Sequence, residues 1–264
     1  KAYDQARNRG LIVARGRAGS FILPQDMAAA VPPPRDTGMN MPPEVEGGSL
    51  LASWERTTSA LLGAPGASGR LHYPPAGGCE ADRIAGTKIL ERLGLTSHFD
   101  ELVVTAGAQN ALHAIIGASL DAGDVVACGP YVYPGFLALA KKAGLRLAPL
   151  PRVDARELLA LCRKTTITAL YVVPTNDNPT TTTLGDEERS AIAEVARTHG
   201  VQIIEDDAYG LLSERPLSPL TQHAPELGWY ISTSSKTISP ALRVAHVRAP
   251  SLRQAMTLAA HVHD

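Results

Sequence analysis

A chain of 264 residues that is 44% hydrophobic can bury one large core or two ordinary ones, which excludes a disordered or fibrous polypeptide. Its formal charge of -1 gives no overall reason to expect a polyanion partner, yet residues 1–20 carry Lys1, Arg7, Arg9, Arg15 and Arg17 against the single acid Asp4. Cys79, Cys128 and Cys162 are odd in number and lack a CxxC pair, so neither a disulfide framework nor a thiolate zinc site is indicated and a reducing cytoplasm is expected. No apolar run approaches the ~18 residues of a membrane span.

Residues 1–23 predict the end of a helix stopped by Gly10, a short strand LIVARG, a turn at RAG and a second strand SFIL. Residues 24–48 hold six prolines and three glycines, a density that excludes regular structure and marks a linker. Residues 49–264 form the large domain. From residue 101 onward, apolar strand-like runs alternate with helix-like ones: ELVVTAG, then AQNALHAIIGASL; DVVACG, then YPGFLALAKKAG; LRLAPLP, then ARELLALCRK; ITALYVVP, then GDEERSAIAEVARTHG. VQIIEDD, WYISTSS and RVAHVRAP continue the series. This order predicts an α/β fold, a mainly parallel sheet with helices on both faces. Ligands of such sheets bind at the carboxyl ends of the strands. Gly107-Ala108-Gln109, Tyr133, Asn178, Asp206 and Lys236 all follow apolar runs directly.

Lys236 lies in ISTSSKTISPALR, inside a run of hydroxyl side chains and seven residues before Arg243. By itself a lysine at a strand end is a surface charge, a phosphate ligand or an amine nucleophile. The company it keeps is more specific: Asn178-Pro179 in PTNDNPTTTTL, Asp206 and Tyr209 in IIEDDAYG, then Lys236 and Arg243, in one order and at strand ends.

Over roughly residues 50–264 this set resembles the fold-type-I pyridoxal-phosphate enzymes of aminotransferase class I/II. The resemblance implies that Lys236 forms a Schiff base with the cofactor aldehyde, that Thr233 and Arg243 hold its phosphate, and that Gly107, Ala108 and Gln109 present a helix N-terminus to it. It further implies that Asp206, three before Tyr209, pairs with the pyridinium nitrogen. Asn178 and Tyr209 would donate to the phenolic oxygen, and Tyr133 would stack on the ring. Tyr73 in HYPPAGG would reach a partner's phosphate across a homodimer. Asp207 is expected on the opposite side of its strand, in a structural role. Two departures stand out: NPTTTT replaces the commoner NPTG, losing a turn glycine, and Thr233 replaces serine.

The first 23 residues resemble the tail of a GntR-type winged helix, in which Arg7, Arg9, Arg15 and Arg17 would approach DNA. A winged helix, a Pro-rich linker and an aminotransferase-like domain together form the layout of MocR-type regulators, whose cofactor domain senses effectors. The resemblance therefore implies an amino acid or 2-oxo acid as small-molecule partner, DNA as a second partner, and a homodimer. The helix-turn-helix ahead of Lys1 and the small C-terminal domain with its substrate-carboxylate arginine have no counterpart in the sequence, so this stretch is expected to be a fragment without turnover of its own. The histidines lack metal-ligand spacing, and no metal site is expected.

Overall fold

The computed structural model describes residue 5, residues 12–14, 20–22 and 40–42, and residues 48–263. The chain separates into two units, residues 1–40 and 41–264. In the first, β1 (Ile12–Ala14) and β2 (Ser20–Ile22) pair antiparallel with Ile12 opposite Ile22, the hairpin expected from the sequence. Arg7, Arg9, Arg15 and Arg17, and nearly all of the Pro-rich stretch, lie outside the described residues.

The second unit begins with two helices the sequence reading did not assign, α1 (Ser49–Gly63) and α2 (Glu80–Glu91). The alternating series follows: β3 (Leu102–Thr105), α3 (Ala108–Ser119), β4 (Val125–Cys128), α4 (Pro134–Lys142), β5 (Arg146–Pro149) and α5 (Ala155–Cys162). Then come β6 (Ala169–Val172), α6 (Asp186–His199), β7 (Gln202–Asp207), the short α7 (Leu220–His223), β8 (Gly228–Thr233), β9 (Ala245–Arg248) and α8 (Leu252–Ala260). The seven strands from β3 onward form one sheet in the order β3-β9-β8-β7-β6-β4-β5.

β5, β4, β6, β7 and β8 pair parallel in that order, whereas β9 pairs antiparallel with both β8 and β3. Two antiparallel steps restore direction, so β3 runs with the parallel set. The carboxyl ends of β3 to β8 therefore share one edge of the sheet, and β9 starts from that same edge. The sheet is mainly parallel, as the sequence predicts.

Residue alternation along each strand divides the core. Ala169, Tyr171, Ile204, Trp229 and Ile231 face one layer with α3, α4 and α8, while Leu170, Val172 and Ile203 face the other with α5, α6 and α7. Helix α6 illustrates why these helices form where they do. Asp186, Glu187 and Glu188 occupy its first turn, Arg197 and His199 its last, and Gly200 caps it at φ 69°, each matching the helix dipole or the left-handed cap. Its face of Ile192, Ala193 and Ala196 is fully covered by the sheet. Truncating a core side chain such as Leu158 to alanine should cost about 2–5 kcal/mol.

Candidate functional site

At the end of β3 the chain turns at Gly107, whose φ of 87° and ψ of 171° suit glycine, and enters α3 with no side-chain cap. Its helix N–H groups are thus left facing the carboxyl edge of the sheet. A Cβ at Gly107 would come within 2.7 Å of Arg243 Nη2, so the missing side chain is what lets the guanidinium approach this helix start. Arg243 itself sits in the left-handed region at φ 46°, just before β9. Thr233, the last residue of β8, is buried, and its hydroxyl donates to Ser235 Oγ at 3.0 Å. A guanidinium, a helix N-terminus and a hydroxyl cluster on one sheet edge are donors suited to a phosphate.

The ends of β4, β6 and β7 build a second corner. Asp206 is buried, and the buried hydroxyl of Tyr171 donates to its Oδ2 at 3.0 Å. Asp206 Oδ1 is also buried and accepts no hydrogen bond. Burial pushes the Asp206 carboxyl up to about 6; the Tyr171 hydroxyl opposes this and the Asp207 charge adds to it. Tyr171 lies flat on Phe136, ring centroids 3.9 Å apart and planes 5° from parallel. Tyr133, at the N-cap of α4, stays partly open to solvent, and its ring and the Gln109 amide both crowd the space a Cβ on Gly135 would need. The Gln109 amide donates to the Gly135 carbonyl at 3.2 Å, tying the start of α3 to the start of α4.

Lys236 follows β8 in a half-buried position, and burial lowers its ammonium's proton affinity. Tyr209 is half-buried directly after β7. Asn178 is exposed on the loop between β6 and α6. Tyr73 lies far forward in the chain at 99% exposure. The structure thus brings Gly107 against Arg243, ties Gln109 to the start of the helix that Tyr133 caps, and pairs Asp206 with Tyr171. Among the described residues no cluster of His, Cys, Asp or Glu is placed to hold a metal ion, and no helix is long and apolar enough to cross a membrane.

Asp207 points to the opposite layer, as its place in the strand predicts. The Tyr230 hydroxyl donates to its Oδ2 at 2.8 Å. Its Oδ1 makes no hydrogen bond of full geometry, but the Thr175 hydroxyl and the Gly210 N–H lie close enough to favour its charge, as does Arg189. Glu205, on the same face, accepts from the N–H groups of Leu220 at 2.9 Å and Thr221 at 2.7 Å. Tyr171 and Arg189 are the residues sequence reasoning missed. Tyr171 is hidden in the apolar run ALYVVP and Arg189 in a helix start rich in charge, DEER; only a phenol one residue before the end of β6 hints at the first.

A seven-strand, mainly parallel sheet carrying a lysine, a buried acid and a phosphate-suited helix start at one edge is the frame of an α/β ligand-binding domain. Residues 68–259 match the family model of aminotransferase class I and II, and the chain belongs to that family. Pyridoxal 5'-phosphate is the family's cofactor, and the residues present fit it: Asp206 Oδ1 is an unpartnered anionic acceptor and the Gly107–Arg243 corner a ready anion site. An uncharacterized HTH-type transcriptional regulator of Bacillus subtilis, YdeF, is 29% identical over 182 residues, 67% of this chain and 39% of that protein. The Escherichia coli HTH-type regulator YdcR, also uncharacterized, is 25% identical over 284 aligned positions, 94% of this chain and 60% of its own length. Among solved structures, LysN, the α-aminoadipate aminotransferase of Thermus thermophilus complexed with N-(5'-phosphopyridoxyl)-L-leucine, superposes with a TM-score of 0.71 at 25% identity, covering 84% of this chain and 57% of its own. The chain thus spans between two fifths and three fifths of these proteins.

Proposed function

We propose that the chain is the cofactor domain of an aminotransferase that moves an amino group between an amino acid and a 2-oxo acid, with Lys236 as its reactive amine. The observation that carries this reading is Asp206 Oδ1, a buried carboxylate oxygen that a protonated ring nitrogen would complete. When bound, pyridoxal phosphate supplies an aldehyde that captures amines and a ring that accepts electron density. Arg243, Thr233 and the N–H groups at Gly107, Ala108 and Gln109 hold the phosphate. Asp206 keeps the ring nitrogen protonated; unit charges ~4 Å apart attract by about 4 kcal/mol at an effective dielectric of ~20. Tyr133 would cover one ring face, and Asn178 and Tyr209 would donate to the phenolic oxygen. Lys236 Nζ, which burial biases toward its neutral form, would be the base that takes the substrate α-proton and the acid that gives it back.

The test is chemical. Borohydride treatment of the chain loaded with pyridoxal phosphate should fix the label on Lys236, and labelling that persists unchanged in Lys236→Ala would overturn the assignment. A homodimer belongs to the same reading. Tyr73 stands clear of its own chain, and α1 buries none of its residues while exposing Leu51, Trp54 and Leu62. A cytoplasmic location agrees with three free thiols.

A second reading is favoured by the relatives. YdeF and YdcR are described as HTH-type regulators, and the YdcR alignment reaches into the β1–β2 hairpin region by covering 94% of the chain. In this MocR-type reading the same amine capture reports an effector to a winged helix, where Arg7, Arg9, Arg15 and Arg17 approach DNA. Salt-dependent binding of one operator without amino-acid turnover would select it.

A further inference from the structure

The loop from Pro174 to Leu184 carries Asn178 and buries no side chain between Asn176 and Thr183. Hydrophobic anchoring therefore cannot hold it. It is instead a small ladder. Leu184 N–H donates to the Pro174 carbonyl at 2.9 Å, Asn176 N–H to Thr183 Oγ1 at 3.0 Å and Asp177 N–H to the Thr182 carbonyl at 2.9 Å.

The neck of this ladder closes on one side chain. Arg189, only 1% exposed, sits in the first turn of α6 and turns back toward the loop. Its Nε donates to the Leu184 carbonyl at 2.9 Å, and its Nη2 to the Pro174 carbonyl at 3.2 Å and to Thr175 Oγ1 at 3.0 Å, so one guanidinium grips both ends of the loop. Its Nη1 donates to the Ser218 carbonyl at 3.0 Å and faces Glu205 Oε1 at 3.9 Å, fixing the fork to the segment before α7 and to β7. A planar fork of five donors does this; an ammonium on a flexible stem does not.

The grip has something to oppose. Thr181 holds a φ of 58°, a left-handed conformation that a β-branched residue rarely adopts. This is the position where NPTTTT lacks the turn glycine. Thr180 Oγ1 donates to Asp177 Oδ2 at 2.7 Å, and Thr182 N–H to Thr180 Oγ1 at 3.2 Å, so hydroxyls brace the apex while Arg189 braces the neck.

We propose that Arg189 is a positioning residue for the cofactor site: by closing the neck of the 174–184 loop it holds Asn178 in place against the backbone strain at Thr181. The consequence for the cofactor rests on the reading of Asn178 as a donor to its phenolic oxygen; the clamp on the loop does not.

Amide hydrogen exchange and visible spectroscopy on the full chain test the two parts separately. In Arg189→Lys, exchange at Asp177 and Leu184 should quicken at least tenfold while amides of β7 and β8 keep their protection. Adding Thr181→Gly should recover part of the loss. In the chain loaded with pyridoxal phosphate, the pH midpoint of the visible absorbance change should move in the same direction in Arg189→Lys and in Asn178→Ala, and the double variant should move little further. Unchanged loop exchange in a folded Arg189→Lys would overturn the clamp. A midpoint that moves in Asn178→Ala but not in Arg189→Lys would overturn the positioning role. If Arg189→Lys does not fold, Thr175→Val removes one bond of the grip with little change of shape, and loop exchange that stays at the wild-type rate there overturns the proposal. A wild-type chain that takes up no pyridoxal phosphate would fail the cofactor reading alone and leave the exchange result standing.

Discussion

The two faces of β7 put acids of the same kind into opposite circumstances. On one face Glu205 and Asp207 are surrounded by donors: Arg189, the N–H groups of Leu220 and Thr221, and the Tyr230 hydroxyl. On the other, Asp206 has the Tyr171 hydroxyl on one oxygen and nothing on the second. Asp207 Oδ1 likewise makes no hydrogen bond, but Arg189, the Thr175 hydroxyl and the Gly210 N–H favour its charge, whereas the Tyr171 hydroxyl alone favours that of Asp206. A buried charge without enough partners costs free energy, and folding alone gives no reason to keep it. The difference teaches where to look for a ligand: at the acid the protein leaves unfinished.

The strongest way to break this comparison is to exchange the roles. Asp206→Ala should weaken retention of pyridoxal phosphate by roughly a thousandfold, the equivalent of about 4 kcal/mol, with little loss of thermal stability in its absence, because relief of the buried charge offsets the stranded Tyr171 hydroxyl. Equilibrium dialysis with and without the substitution measures it, and an equal loss in Asp207→Ala would erase the distinction between the faces. Asp207→Ala should instead lower stability by about 2 kcal/mol in denaturant unfolding, because it strands the buried Tyr230 hydroxyl, while retention stays close to wild type.

A pH experiment sharpens the contrast. Folding raises the Asp206 carboxyl from 3.8 to about 6, so between those values the folded chain binds more protons than the unfolded one. Its contribution to stability is therefore lost as pH rises from about 4 to about 6. In the cofactor-free chain Asp206→Asn should flatten that part of the stability profile and gain up to about 3 kcal/mol at pH 8. Glu205, raised to about 7 by burial first and by the Asp207 charge second, extends the decline to higher pH in both proteins. A variant less stable than wild type at pH 8 would show that Asp206 is not held at a cost. The smallest expected effect is that of Tyr171→Phe. It keeps the stack on Phe136 and removes one hydrogen bond, so retention should fall by about 1 kcal/mol, and the Asp206 step in the stability profile should move to higher pH.

Much of this was legible in the chain itself. Strand-like runs such as VQIIEDD and WYISTSS declare themselves by composition and length, because side-chain alternation and β-branching act over a few residues. The same locality placed Asp206 near the end of β7, Tyr209 and Lys236 shortly after β7 and β8, and the alternation of β7 separated Asp206 from Asp207. Helices α1 and α2 were not legible: α1 buries none of its residues, so no covered face imposes a strong period, and α2 buries only Gly86 and Leu90.

Tertiary structure decided the rest. That β9 enters between β3 and β8 with reversed direction is a matter of strand pairing between distant residues, and it is what brings Arg243 against Gly107. Tyr171 became the partner of Asp206 only when β6 paired with β7 in a register setting Tyr171 opposite Ile204. Arg189 looks in sequence like one more charge on a solvated helix. Its four hydrogen bonds find their acceptors only when the sheet, the 174–184 loop and the segment before α7 close around it, because such bonds join residues that no local pattern relates.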